Sequence, residues 1–155
     1  MPHGDAITEL ILESFRLNGC LLAAGDALLQ DLGLTSARWQ VLGAVALSPA
    51  PAPVAHLART MGLSRQNVQR IANELDASGF VTFAANPHHQ RAKLVLMSER
   101  GRAVYAKAAA RQSPWAAALA RGLPDDAIEE ATGVLRALRR RLESGQATLR
   151  KENPA

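Results

Sequence analysis

The sequence predicts a mostly α fold carrying one small β-hairpin. Three observations lead there. Aliphatic residues recur at helical spacing along most of the chain, aromatic residues make up only 4% of it, and just two short β-type runs occur, facing each other across a polar loop. With 48% hydrophobic residues among 155, the chain is long enough to bury one core, so a single compact unit over 1–155 is expected. Ala, Leu and Val supply most of that core, and these small aliphatics suit closely packed helices.

The first helix opens after Asp5, a suitable N-cap, and carries Leu10, Ile11, Leu17, Leu21, Leu22, Leu28, Leu29 and Leu32 on a broad face as far as Gly33. A helix apolar on more than one side needs more than one neighbour. Gly33 stops it, and Thr35 caps a second helix bearing Trp39, Val41, Leu42, Val45 and Leu47 up to Ser48. The Pro-Ala alternation from Pro49 to Pro53 reads as a short extended spacer. It also interrupts the uncharged run Trp39 to Ala58, so no membrane span is expected.

Val54 to Met61 forms a short third helix, Gly62-Leu63 a turn, and Ser64 to Ser78 a fourth helix with Ser64 as N-cap and Gly79 as its stop. Phe80 to Ala84 and Lys93 to Met97 are the hairpin strands, joined by a loop holding Asn86-Pro87. Ser98 caps a fifth helix, which Pro114 is expected to kink or break near Ser113. The last helix starts at about Pro124, with Asp125, Asp126, Glu129 and Glu130 near its positive end and Arg139, Arg140 and Arg141 near its negative end. Ile128, Ala131, Leu135, Leu138 and Leu142 form a heptad seam along it. Such a seam packs either within one chain or against a second copy, and the surplus apolar face of the first helix favours the second copy.

Two helices joined by so tight a turn cross steeply only where the crossing residues are small and the turn tolerates positive φ, as Ala58 and Gly62 do. Leu57, Met61, Leu63, Val68 and Ile71 then fall where the pair buries side chains. Residues 34–101 thus outline a winged helix-turn-helix lobe. Residues 5–33 and 102–145 supply N- and C-terminal dimerisation helices that flank it, and 146–155 a disordered tail.

Net charge is +4, unevenly placed. Residues 1–53 carry two Arg against five acids, whereas 54–102 carry seven Lys or Arg against three acids. A polyanion would dock on that middle third. On the fourth helix Val68, Ile71, Ala72 and Leu75 form one stripe, and Gln66, Gln69, Arg70 and Asn73 project opposite, with Arg65 and Asn67 on the flanks and Ser64 at the cap. A solvated face would carry more Glu and Lys; amides and guanidinium groups pair bidentately with adenine and guanine edges in the major groove. The hairpin tip adds His88, His89, Gln90, Arg91 and Lys93, a cationic loop suited to a flanking minor groove or phosphates. Double-stranded DNA is therefore the expected partner, and a protein-interaction module without operator binding is the alternative use of the same lobe.

The run Leu34 to Lys107 resembles the multiple-antibiotic-resistance regulator (MarR) family of winged-helix transcription factors. The similarity rests on Leu34-Thr35, Trp39-Gln40-Val41-Leu42, Leu57-Ala58, Met61-Gly62-Leu63, the run Leu75 to Phe80, and Asn86-Pro87 through Arg91, Val95, Met97-Ser98 and Gly101. This resemblance implies a homodimer held by the first and last helices, a pseudo-palindromic operator read by one recognition helix per half-site, and a small effector, often aromatic or phenolic, or an oxidant. The chain departs from the family pattern at His89, where an Asp precedes the wing Arg by two residues, at Ser98 in place of Thr, and at Pro114.

Other chemistry finds little support. Cys20 lies among Leu21 and Leu22 with only Arg16 as a nearby base, so a buried, inert thiol is expected. His3, His56, His88 and His89 show no ligand spacing, so neither metal nor cofactor is expected, and no enzyme motif occurs. Arg16 and Trp39 are candidates for an effector's carboxylate partner and aromatic wall. A single cysteine and an N-terminus without a basic segment and apolar core point to the cytoplasm.

Overall fold

The computed structural model describes residues 2–151, with side chains over 4–145. Its elements are α1 (Pro2–Leu29), a 3-10 turn (Gln30–Leu32), α2 (Ser36–Leu47), β1 (Ala52–Pro53), α3 (Val54–Met61), α4 (Arg65–Ala77), β2 (Val81–Ala84), β3 (Leu94–Met97), α5 (Glu99–Leu119) and α6 (Asp125–Lys151). Where the sequence leads to one compact unit, the chain divides into two, Met1–Pro114 and Trp115–Ala155. The physical reason is the distribution of the core. Every buried residue among those described lies before position 109, and none lies over 115–145.

The core of the first unit is built from one face of each element. Leu29, Val41 and Leu42 meet Val54, Leu57 and Ala58, the α4 stripe Val68, Ile71, Ala72 and Leu75, and Val81 and Val95 from the sheet. All of these are 5% exposed or less. The strands are antiparallel in the order β1-β3-β2, with Ala52 opposite Val95 and Phe83 opposite Val95 on the other side.

Three polar locks hold α1, α2 and α5 on this core. Buried Ser36 donates its backbone N–H to Asp26 Oδ1 at 2.7 Å and its hydroxyl to the Leu22 carbonyl at 2.7 Å, fastening the start of α2 to α1. Ser98 Oγ donates to the Gly79 carbonyl at 2.6 Å and accepts from the Gly101 N–H at 2.9 Å, so one hydroxyl caps α5 and ties it to the end of α4. Here the backbones approach so closely that a Cβ on Gly101 would overlap the Phe80 carbonyl, which explains the glycine. Arg111 on α5 donates to the Leu28 carbonyl at 2.9 Å and from both terminal nitrogens to Asp31, with the second contact at 2.8 Å. The Arg111 hydrogen bond holds the Asp31 carboxyl below its usual range, against a smaller opposing effect of burial.

Several expectations need correction. The Pro-Ala spacer is partly a strand: β1 adds a third strand to the expected hairpin, since Pro53 sits at its end, where its missing N–H costs no interior pairing. Of the kink or break expected at Pro114, a break does not occur: α5 continues to Leu119. The boundary between the two units nonetheless falls there. α1 starts at Pro2 rather than after Asp5. Arg139, Arg140 and Arg141 lie within α6 and not at its end, because the helix runs on to Lys151. The tail expected over 146–155 is therefore helical in its first part, and residues 152–155 lie outside the described residues.

Candidate nucleic-acid interface

The corner between α3 and α4 is set by its turn. Gly62 takes φ 68°, its N–H and that of Leu63 return to the carbonyls of Arg59 and Ala58 at 3.3 and 3.0 Å, and Ala58 is 2% exposed at the crossing. Leu63, expected to be buried, instead stands 41% exposed at the turn. Ser64 then caps α4 by accepting the Asn67 N–H at 3.2 Å. The cap fixes where the helix begins and which side chains its first turns present.

The inward stripe of α4 is fully used: Val68, Ala72 and Leu75 are 0% exposed and Ile71 is 2%. The other side is open. Arg65, Gln66, Arg70 and Asn73 are exposed, Gln69 and Asn67 half-buried, and together with Glu74 and Ala77 five of them line one shallow depression: Arg65, Gln66, Gln69, Arg70 and Asn73. The expected outward-facing residues are therefore gathered on one surface. Within it, Gln69 Nε2 donates to Asn73 Oδ1 at 2.9 Å, and Arg70 donates to Asn67 Oδ1 at 2.9 Å and to Glu74 Oε1 at 2.7 Å.

Glu74 is the residue that sequence reasoning left out. It also accepts from Arg38 Nε on α2 at 3.0 Å, so one carboxylate serves two guanidinium groups. Arg38, followed by Arg70, draws the Glu74 carboxyl below the usual range, partly opposed by burial, and it is ionised at neutral pH. The spacing of Arg70 and Glu74, four apart on one helix, was a legible signal; Arg38 comes from a helix far earlier in the chain and left none.

The wing tip is shaped by Asn86. Its side-chain oxygen accepts the His88 N–H at 3.0 Å and its carbonyl the His89 N–H at 3.2 Å, an Asx turn that reverses the chain after β2. His88, His89, Gln90, Arg91 and Lys93 are all exposed, and Arg91 makes no side-chain hydrogen bond or ion pair among the described residues. Where the family pattern has an Asp to orient this Arg, His89 offers no carboxylate.

The two effector candidates are not brought together. Arg16 pairs with Glu13 at 3.4 Å beside a depression lined by α1 residues alone, whereas Trp39 packs against the core, its buried indole N–H without a partner. Cys20, expected to be buried among Leu21 and Leu22, is exposed, and those two leucines are exposed with it. No group of three or more His, Cys, Asp or Glu suited to a metal occurs among the described residues, and none of their helices is long and apolar enough to cross a membrane. His3 lies outside the described side chains, and His56 is exposed on α3.

Comparison with known proteins supplies the context. A family model described as MarR family matches residues 32–92. An uncharacterized protein of Mycobacterium tuberculosis is 38% identical over 100 residues, which cover 64% of this chain and 68% of that protein. A MarR-family transcriptional regulator from Rhodococcus sp. RHA1 superposes with a TM-score of 0.73 at 26% identity, over 87% of this chain and 93% of that one. CouR from Rhodococcus jostii RHA1, in a structure bound to p-coumaroyl-CoA, superposes with a TM-score of 0.71 at 26% identity, over 79% of this chain and 86% of that one. Fold and site together define a winged helix-turn-helix transcriptional regulator. The chain belongs to the MarR family.

Proposed function

We propose that this protein is a transcriptional repressor that binds a pseudo-palindromic operator as a homodimer, one α4 per half-site, and leaves it when a small aromatic or phenolic effector binds. The observation that carries the reading is the two-sidedness of α4. Its apolar stripe is 2% exposed or less, while amide and guanidinium side chains occupy the open side. Arg91 and Lys93 are exposed on the wing, and their charge suits the flanking minor groove or phosphates. The homodimer is supported by apolar side chains left open on α1, among them Leu12, Phe15 and Leu17 at 49, 72 and 50% exposure. Support for an effector comes from the ligand named with the CouR structure. Half-sites one helical turn apart, roughly 34–36 Å, tolerate little change in the spacing of two lobes, so a ligand favouring another spacing releases DNA.

The test is titration of the purified chain against duplex DNA from upstream of its own gene, by anisotropy and footprinting over a range of salt. A two-fold symmetric footprint is expected, with affinity falling as salt rises. Gln66→Ala with Arg70→Ala weakens binding at least about tenfold, the scale of one lost bidentate contact. No footprint, or a footprint indifferent to both changes, leaves the protein-interaction module as the better reading. Loss of the gene should raise expression of a reporter from the same promoter; a fall would make the protein an activator.

A further inference from the structure

Arg70 is tethered twice on the open side of α4. It is 62% exposed, yet its Nη1 donates to Glu74 Oε1 at 2.7 Å and its Nη2 to Asn67 Oδ1 at 2.9 Å. Asn67 stands three residues before it and Glu74 four after, so the guanidinium is held from both directions along the helix. Glu74 does not swing freely either. Its second oxygen accepts from Arg38 Nε at 3.0 Å, in a pair whose side chains are only 29 and 33% exposed, and Arg38 itself reaches the Gly33 carbonyl at 3.4 Å. A long exposed arginine ordinarily samples many rotamers, and ordering it on DNA costs entropy that this arrangement has already removed.

The tether leaves the reading groups available. Of the five N–H donors of a guanidinium, two are engaged here, and one guanine needs two for its O6 and N7. A carboxylate beside this surface repels phosphates, so Glu74 adds no attraction to DNA in general. Its effect is on selection between sequences, where a repulsive element opposes every site that lacks the favourable contact.

We propose that Glu74, anchored by Arg38, is a positioning residue that aims Arg70 at one guanine in each half-site and thereby sets the operator's sequence preference. This rests on the DNA-binding reading above and deepens it. Asn67 holds the other side of the same guanidinium and completes the aim.

The experiment is selection of duplexes from a random pool by the full-length wild type and by Arg70→Ala, Glu74→Gln and Arg38→Gln, with competitive affinities for the selected site and its single-base changes. The wild type selects a guanine at one position of each half-site, favoured roughly tenfold or more over other bases, the scale of a bidentate pair. Arg70→Ala abolishes that preference alone. Glu74→Gln keeps the other positions of the site and equal or stronger binding to unrelated DNA, while the guanine preference falls to about twofold to threefold, and Arg38→Gln falls between. Unfolding midpoints measured alongside separate aim from folding, and a base-specific change is one that mere destabilisation does not produce. A guanine preference unchanged in both Glu74→Gln and Arg38→Gln, or surviving in Arg70→Ala, overturns the inference while leaving operator binding intact. Uniform loss of affinity for all sequences overturns it also. If the wild type selects no site at all, the DNA-binding reading itself falls and takes this inference with it.

Discussion

α4 and α1 are both helices of the same unit, yet α4 completes its apolar face within that unit while α1 leaves much of its own open. Val68, Ala72 and Leu75 are fully buried, whereas Leu12, Phe15, Leu17 and Leu21 stand 42 to 72% exposed. The difference separates two meanings of an open surface. On α4 the open side is polar and the folding requirement is already met, so its residues are available for recognition. On α1 the open side is apolar, and the exposure is itself an unmet requirement.

The sharpest way to break the comparison is to damage the completed face. Leu75→Ala removes a side chain with no exposure and should cost about 2–5 kcal/mol, a large part of the roughly 5–15 kcal/mol that holds a typical domain. Urea unfolding followed by circular dichroism measures it. DNA affinity per folded molecule should stay near that of the wild type, because Leu75 points inward; a loss of affinity beyond the unfolded fraction would show that the two sides of α4 are not independent.

The second break is at the open apolar face. Under the proposed homodimer, Phe15→Glu places a charge in an interface and should raise the dimer dissociation constant roughly 30-fold or more, as loss of a central aromatic does. Sedimentation equilibrium reads the mass. The single chain should lose little stability, because Phe15 is 72% exposed in it. An unchanged dimer mass at all concentrations would assign the open face of α1 to something other than a second copy.

The same contrast explains what was legible in the sequence. Caps and stops were read directly from local chemistry: Thr35, Ser64, Gly62 and Gly79 each act on their own turn, and each element they bound is placed within a residue or two. The open polar side of α4 was legible for a related reason, since a stripe at helical spacing declares its own opposite side. What escaped depends on distant partners. β1 exists because Val95 and Leu94 offer it an edge some forty residues later, and nothing in Ala52-Pro53 announces that. Arg38 reaches Glu74 across 36 positions, and Arg111 reaches Asp31 across 80. Cys20 is exposed despite apolar neighbours in sequence, which do not ensure cover in space.

A smaller effect sharpens the boundary between the two sides of α4. Ser64→Ala removes the acceptor for the Asn67 N–H and should cost about 1 kcal/mol in urea unfolding. Because Arg65 and Gln66 follow directly, fraying of this turn should also weaken DNA binding a few-fold. Lost stability with unchanged affinity would mean that these two side chains take no part in recognition.

The smallest effect concerns the lock at the base of α1, where Asp31 meets Arg111. Asp31 is 64% exposed, so solvent screens the pair and its contribution is modest. Its sign is nevertheless fixed. The folded carboxyl is held below the ordinary value of 3.8, chiefly by the Arg111 hydrogen bond, so the folded state favours the ionised form more than the unfolded chain does. That contribution is complete well above 3.8 and is lost as pH falls through the lower folded value. Thermal unfolding of the wild type and Asp31→Asn should therefore differ at pH 7, and the gap should close as pH drops below 3.8. A gap that stays constant to the acid limit would mean that the carboxylate acts there through hydrogen-bond geometry rather than charge, because a neutral acid would then hold α5 against the end of α1 as well as the ion does.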